Sequence, residues 1–122
     1  MLNCHLFIYE RVIIMSIFPK KLIKGKDMFT TFHMKICNNS NVDVDGQIKY
    51  KIIMPNGKID EFYLNRVEKI EANSELNKYD KYYINDDFPL GRYFVDGTFE
   101  WNGINILSET NKNDFFDVIE GK

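Results

Sequence analysis

Hydrophobic and polar residues alternate along most of the chain. In the segment 30–37 the even positions hold Thr, Phe, Met and Ile, and the odd positions hold Thr, His, Lys and Cys. The segment 47–54 repeats the pattern, with Ile, Tyr, Ile and Met at its even positions. A period of two is typical of a strand with one buried face, and no segment shows a sustained helical period. The pattern therefore predicts β-strands.

Turn-forming residues divide these segments into about seven strands. Pro19 ends the first segment because proline has no N–H to give to a strand ladder. Residues 38–41 and 55–57 have the Asn, Ser, Pro and Gly content of tight turns. The predicted strands span residues 6–18, 30–37, 47–54, 59–70 (as two short strands), 76–84, 93–101 and 104–106, and the tail 114–118 extends the last one. This spacing predicts an all-β, immunoglobulin-like antiparallel β-sandwich.

The last hairpin carries the strongest pairing signal. Asn102-Gly103 forms a two-residue turn that places Trp101 opposite Ile104. Tyr93, Val95 and Phe99 then share a face with Trp101, which keeps the parity of the two strands consistent. We expect these residues to face the core.

Length and charge limit the class of protein. The chain has 122 residues, 44% of them hydrophobic, which favours a single globular domain over residues 1–122. The net charge is −2, so we expect neither nucleic-acid binding nor membrane insertion. Lysines cluster between residues 20 and 26 and are interpreted as a solvated surface.

The two cysteines, Cys4 and Cys37, are too few for a disulfide framework. They could bridge if the first strand lies beside the strand that holds Cys37, but the sequence favours two free thiols. The apolar run Leu6–Phe18 is interrupted by Glu10 and Arg11 and lacks the marks of a signal peptide. The compartment is unknown from the sequence, with the cytoplasm favoured over the cell surface.

Several short motifs resemble one family. Residues 17–19, the strand 28–36 and the turn 38–40 resemble the opening strands of bacterial immunoglobulin-like and fibronectin type III-like domains. Residues 55–58 are similar to the P-x-G turn of those domains, and residues 88–93 to their P-x-G-x-Y motif. The resemblance covers most of residues 12–118 and implies a tyrosine corner at Tyr93. A weaker similarity links the chain to sandwich-type intracellular proteinase inhibitors. This architecture hosts many functions.

The candidate metal sites in the sequence lack the residues that a metal ion needs as ligands. Residues 41–48 match the first half of an EF-hand loop, but the ninth position is Lys49 and the twelfth is Ile52. His5 and His33 could form a zinc site only with both cysteines, and neighbouring residues on a strand point to opposite faces. No nucleophile elbow, papain-like cysteine context or phosphate-binding loop occurs. The sequence therefore predicts no metal, no cofactor and no catalytic residues.

Outward aromatic residues are the remaining signal. Parity turns Tyr79 and Tyr83 away from the core, and Phe94 lies on the opposite side of its strand from Tyr93. The first strand, around Ile8, presents an apolar edge for strand addition. We hypothesise a non-catalytic protein-interaction module that binds a protein partner or a second copy through Ile8, Tyr79, Tyr83 and Phe94. Two alternatives are a proteinase inhibitor using the loop 38–45 or 85–91, and a carbohydrate-binding module that uses the three aromatic residues for stacking.

Overall fold

The computed structural model describes residues 11–64, 67–101, 104–108 and 114–121. Every regular element in these ranges is a strand. The ten strands are β1 (Arg11–Phe18), β2 (Lys21–Ile23), β3 (Phe29–Asn38), β4 (Val44–Ile53), β5 (Ile59–Tyr63), β6 (Glu68–Ile70), β7 (Ser74–Tyr83), β8 (Gly91–Trp101), β9 (Ile104–Ser108) and β10 (Phe115–Ile119). Within these ranges no helix is long and apolar enough to cross a membrane.

The strands form two sheets. The small sheet has the order β1-β3-β7, and both of its pairings are antiparallel. The large sheet has the order β2-β10-β8-β4-β5, with β6 added to β4 and β9 added to β8. The three-residue strand β2 runs parallel to β10, whereas the other pairings of the large sheet are antiparallel. The all-β sandwich predicted from the sequence is confirmed.

The core lies between the two sheets and follows the predicted parity. The even positions of β3 are buried, as are those of β4 between Ile48 and Ile52 and the odd positions of β8 from Tyr93 to Phe99. Aromatic rings fill the centre, where Phe32 stands 5.1 Å from Tyr50 between ring centroids. Burial of these large side chains is the main favourable contribution to folding.

The end of the chain also follows the prediction. β9 and β10 pair with the same side of β8, one after the other, so the tail continues the last strand after a break. Trp101 pairs with Ile104, as the two-residue turn requires. The segment 59–70 forms the two short strands β5 and β6.

Tyr93 makes the hydrogen bond expected of a tyrosine corner. Its hydroxyl donates to the backbone carbonyl of Pro89 over 2.6 Å, while its ring is fully buried. Burial raises the pKa of Tyr93 to about 12. The bond ties the end of the 85–91 loop to the start of β8.

The expectation of two free thiols is wrong. Cys37 is disulfide-bonded, and the chain's other cysteine is Cys4, which lies outside the described residues. The condition set for a bridge is met, because β1 pairs with β3 and places Val12 opposite Cys37. Sequence spacing alone could not show which strands are neighbours.

Candidate functional site

Among the described residues, the outer face of the small sheet carries the largest group of exposed rings. The odd positions of β3 and β7 and the even positions of β1 from Ile14 to Phe18 point away from the core. Side chains on this face include Ser16, Phe18, Phe29, Thr31, His33, Lys35, Glu75, Asn77, Tyr79, Lys81 and Tyr83. Phe18 at 80% and Tyr79 at 69% are the most exposed rings among them. Aromatic residues with polar neighbours are typical of protein-binding surfaces.

Tyr79 stacks on the neighbouring strand. Its ring lies 4.3 Å from the ring of His33, and the two planes differ by 4°. The Nε2–H of His33 donates to Oδ1 of Asn77 over 2.9 Å, which fixes the imidazole beside Tyr79. One face of the tyrosine ring is therefore covered by His33, and its other face is turned to the free side of β7.

Tyr83, four residues along the strand, also contacts a ring of β3, but with the two planes tilted by 50°. Its ring contacts that of Phe29 on β3 at 5.5 Å, and it is 58% exposed. Lys81 lies between the two tyrosines along the strand, and its ammonium group lies 4.7 Å from the centre of the Phe29 ring on β3. Cation–π contacts of this kind hold a lysine against the sheet while leaving its charge near solvent. Tyr79, Lys81 and Tyr83 thus form a row along the outer side of β7.

β7 is an edge strand with free backbone groups. In the described part of the chain it pairs with β3 and with no strand on its other side. Along an antiparallel strand pair, every second pair of opposite residues exchanges backbone hydrogen bonds. The residues in between direct their N–H and C=O groups away from the partner strand. The Ile84 N–H donates to the Met28 carbonyl, one step beyond the pair Phe29 and Tyr83. It follows that the odd residues of β7 direct their backbone N–H and C=O groups to the free edge.

The same residues therefore carry both features. Tyr79, Lys81 and Tyr83 present side chains on the outer face and, within the described ranges, backbone groups at the edge that pair with no other strand. The other free side of the small sheet, along β1, lies against β8 and β9 of the large sheet. β7 itself contacts β6 across the sandwich through its inner side. Among the described residues, the outer edge of β7 is paired with no further strand.

The inner side of β7 carries two charges of opposite sign. Lys78 contacts Glu68 of β6 at 2.8 Å, and Asp80 accepts a hydrogen bond from the Tyr50 hydroxyl at 3.1 Å. Burial raises the pKa of Asp80, an effect partly offset by the hydrogen bond from Tyr50 and by the charge of Lys78. Inward charges on an edge strand discourage unspecific pairing. They were missed by the sequence analysis, although charges at both parities of a strand are the signal of an edge.

Tyr82 follows Lys78 and Asp80 on the inner side of β7 and bridges the two sheets where β7 faces β5; we call this junction the seam. Its ring is buried against Phe32, and its hydroxyl donates to Asp60 of β5 over 2.8 Å. Burial and this bond to the carboxylate raise the pKa of Tyr82. The seam beneath the free edge of β7 is therefore held by specific polar contacts.

A shallow groove runs across the outer face between β1 and β7. Its volume is about 580 Å³, and its walls include Ile14, Ser16, His33 and Tyr79. A smaller depression beside Phe18 continues it. Both are open depressions along the sheet, which suits contact with another polypeptide.

The predicted binding residues do not form one surface. Tyr79 and Tyr83 share the outer face of the small sheet, whereas Phe94 lies on the outer face of the large sheet. There it pairs with Phe115 on one side and Ile53 on the other. Ile8 lies outside the described residues. A stacking surface built from all three aromatic residues is therefore not assembled.

The outer face of the large sheet also holds a compact charged cluster. Glu100 is 9% exposed and accepts hydrogen bonds from the hydroxyls of Tyr63 and Thr98 at 2.7 and 3.2 Å. Lys49 lies 3.7 Å from the same carboxylate and 3.5 Å from Glu61. Since each of these groups has partners, the cluster is a satisfied cross-strand network.

The loops considered for protease inhibition are tied to the body of the protein. The Asn38 amide donates to the carbonyls of Val42, Ile70 and Glu71, and Asp43 accepts from the backbone N–H of Ala72. In the second loop, Phe88 packs 6.1 Å from Tyr93, whose hydroxyl bonds Pro89. Both loops are therefore anchored to the body of the protein by hydrogen bonds.

Within the described ranges, no group of three or more His, Cys, Asp or Glu side chains is arranged to hold a metal ion. Asp43, the third position of the EF-hand-like segment, is occupied by its bond to Ala72. His33, considered as a zinc ligand, is stacked on Tyr79 instead.

No protein-family model matches the chain, and no curated protein is detectably similar in sequence. Solved structures are similar in fold. One is the alkylpurine DNA glycosylase AlkC of Pseudomonas fluorescens bound to DNA containing an abasic site analog, with a TM-score of 0.69 and 16% identity over 90% of this chain. The sporulation control protein Spo0M of Bacillus subtilis has a TM-score of 0.54 and 12% identity over 94% of this chain. The structural genomics target SoR45 has a TM-score of 0.53 and 13% identity over 89% of this chain.

The chain spans only part of these proteins. It covers 30% of the glycosylase chain, 51% of Spo0M and 78% of SoR45. At these identities the likeness concerns the fold alone. A similar sandwich thus forms part of several longer chains. Such an architecture is known to serve many functions.

Proposed function

We propose that this protein is a non-catalytic interaction module that captures an extended segment of a protein along β7. One observation carries the proposal: the residues whose backbone groups are free at the edge also place Tyr79, Lys81 and Tyr83 on the outer face. An added strand would gain main-chain hydrogen bonds from the edge and specificity from the side chains, as in strand-addition complexes. The edge used is β7 rather than the first strand, on which the sequence analysis placed it.

The arrangement also defines the chemistry of the captured segment. Cross-strand side chains on one face lie about 4.5–5.5 Å apart and contact one another directly. The open ring faces of Tyr79 and Tyr83 favour apolar or aromatic residues, and Lys81 between them favours Asp or Glu. At five successive positions, the preferred segment therefore has an apolar residue, any residue, an acidic residue, any residue and an apolar residue.

The other candidate functions have weaker support. A sugar-binding platform needs open aromatic faces on one surface, but His33 covers one face of Tyr79 and Phe94 lies on the other sheet. Lys35 lies 3.0 Å from Glu75, so the face is not a uniformly basic surface for nucleic acid. The DNA in the glycosylase structure is a ligand of that enzyme.

We further propose kinship with immunoglobulin-like domains and an oxidising compartment. The kinship is supported by the two-sheet sandwich and the Tyr93–Pro89 bond. The compartment is supported by the disulfide at Cys37, since disulfides are rare in reducing compartments. Protein isolated without reductant should resist alkylation in denaturant until a reductant is added. Uptake of alkylating reagent without reduction would contradict this.

Selection of peptides tests the interaction function. A display library of random ten-residue peptides, panned on the purified protein, should enrich the apolar–acidic–apolar alternation. Binding of the enriched peptides is then measured by fluorescence anisotropy against Lys81→Pro and Lys81→Ala. Proline removes the edge-facing N–H of residue 81, whereas alanine removes only the side chain. We expect binding to fall more than tenfold further in the proline variant than in the alanine variant.

Two results would overturn the proposal. One is a selection that enriches no peptide; the other is equal binding by the proline and alanine variants. Circular dichroism of both variants confirms that the comparison is made between folded proteins.

A further inference from the structure

We infer that the segment captured by β7 is β7 of a second copy of this chain. The two strands pair antiparallel about a two-fold axis through Tyr79, joining the small sheets of both copies into one. This inference rests on the proposed function and names its partner. It is carried by charge complementarity along the strand, with Lys78 and Asp80 on its inner side.

Backbone geometry limits the possible registers. Two edge strands can bond only if residues with free backbone groups face each other. In β7 these are the odd residues, so an odd residue must face an odd residue of the second copy. For a two-fold pair with substantial overlap, the axis must then pass through a residue between Asn77 and Lys81.

Charge selects one of these registers. With the axis at Tyr79, Lys78 of each copy faces Asp80 of the other, so two pairs of opposite charge form on the inner side. An axis at Lys78 places the two copies of Lys78 opposite each other. An axis at Asp80 or at Lys81 likewise places two identical charges opposite each other. An axis at Asn77 leaves Lys78 opposite an apolar Leu76. Like charges directly opposite each other destabilise a strand pair, and opposite charges stabilise it.

On the outer side this register places Lys81 opposite Asn77 and Tyr83 opposite Glu75, so the second copy departs from the apolar–acidic–apolar order, and its acidic Glu75 is only a diagonal neighbour of Lys81. The other contacts agree with the pairing. Tyr79 faces its own copy on the outer side, and both rings offer the face that His33 leaves uncovered. On the inner side, the half-buried Leu76 faces Tyr82, which extends the apolar core across the junction. The interface uses the same patch on both copies, as closed two-fold dimers do.

The pairing joins charges that are already placed in each copy. Lys78 is held by Glu68, and Asp80 is held by Tyr50. In the dimer, each lysine lies between two carboxylates and each Asp80 gains a cation. Pairs anchored in this way need little further ordering of side chains, which limits the entropic cost of association.

Site-specific crosslinking tests the register. Cα atoms of directly opposed residues in a hydrogen-bonded antiparallel pair lie about 5.5 Å apart, within the span of a disulfide. Tyr79→Cys should therefore form a covalent dimer under mild oxidation. The matched control is Tyr83→Cys, because the two copies of residue 83 would lie roughly 27 Å apart along the strands. Both variants lose a tyrosine and keep the disulfide at Cys37, so any background exchange is the same.

Sedimentation velocity over a concentration series tests the association itself. We expect a concentration-dependent dimer of the unmodified protein, weakened more than tenfold by Lys81→Pro and much less by Lys81→Ala. Since the axis relates the two copies, each substitution acts twice in the dimer.

The outcomes separate the two proposals. A protein that stays monomeric up to about 1 mM while selected peptides still bind overturns self-pairing and leaves the interaction function standing. A dimer that persists in Lys81→Pro, or that crosslinks equally through residue 83, also overturns self-pairing through β7. If neither peptides nor a second copy bind at the edge, both proposals fail.

Discussion

The alternation of free and bonded backbone groups along β7 predicts two different responses to proline. Lys78 is an even residue and directs its N–H to β3, whereas Lys81 is an odd residue and directs its N–H to solvent. We therefore expect Lys78→Pro to destabilise the fold strongly and Lys81→Pro to be tolerated. Alanine at each position provides the matched control, because it removes the same side chain and keeps the N–H.

The size of the difference follows from the hydrogen bonds. Proline at position 78 removes a ladder bond worth about 1 kcal/mol and leaves a buried carbonyl of β3 without a donor, which costs about 1–3 kcal/mol. The proline variant should thus be about 2–4 kcal/mol less stable than Lys78→Ala. Proline at position 81 removes no ladder bond. It also lowers the conformational entropy of the unfolded chain, which offsets some of the backbone strain in the folded state. That difference should stay within about 1 kcal/mol.

Urea denaturation followed by tyrosine and tryptophan fluorescence measures both differences. The slope of the unfolding free energy against urea should stay constant, so that a change in midpoint reports a change in stability. Equal losses at positions 78 and 81 would show that the assignment of edge-facing residues is wrong. Strand addition at β7 would then be excluded as well.

Three further predictions concern the core and the seam. Gly46→Ala should cost about 1–3 kcal/mol in urea denaturation, because the new methyl group would stand 2.6 Å from the ring of Phe99; unchanged stability would contradict this. Tyr93→Phe should cost about 1–2 kcal/mol by removing the bond to Pro89, and it should reduce the loss of stability between pH 10 and about 12, where the buried hydroxyl ionises. Burial raises the pKa of Asp80, so the folded monomer favours its protonated form; in protein dilute enough to be monomeric, Asp80→Asn should raise the Tm at neutral pH, and this gain should vanish below pH 3.8. A gain that persists in acid would refute that account.

Strand positions and faces could be predicted from the sequence. Phe32, Met34 and Ile36 are fully buried, as alternation indicated, and Tyr79 and Tyr83 are exposed. Alternation succeeds here because each sheet has one face on the core and one on solvent. The hydrophobic positions of a strand therefore show which of its side chains face the core.

The assembly of strands into sheets could not be predicted from local pattern. Alternation shows that Phe94 and Tyr79 both point outward, but it does not show that they belong to different sheets. The disulfide at Cys37 was missed for the same reason, because the proximity of β1 and β3 is a property of topology. The parallel strand β2 has only three residues, too few for a pattern to appear.

The inward charges of β7 have a role that depends on their order. A single inward charge on an edge strand opposes every added strand, because any partner would have to bury that charge. Lys78 and Asp80 have opposite signs and lie two residues apart on the inner side, so they oppose most registers and favour the one that brings each beside its opposite. The same two residues would thus prevent uncontrolled strand addition and select a particular partner. Exchanging the two residues keeps the opposite-charge pairs of the dimer but sets a carboxylate against Glu68. Self-pairing should therefore weaken less in the exchange than when the sign of either residue alone is reversed, a difference that sedimentation of the three variants can measure.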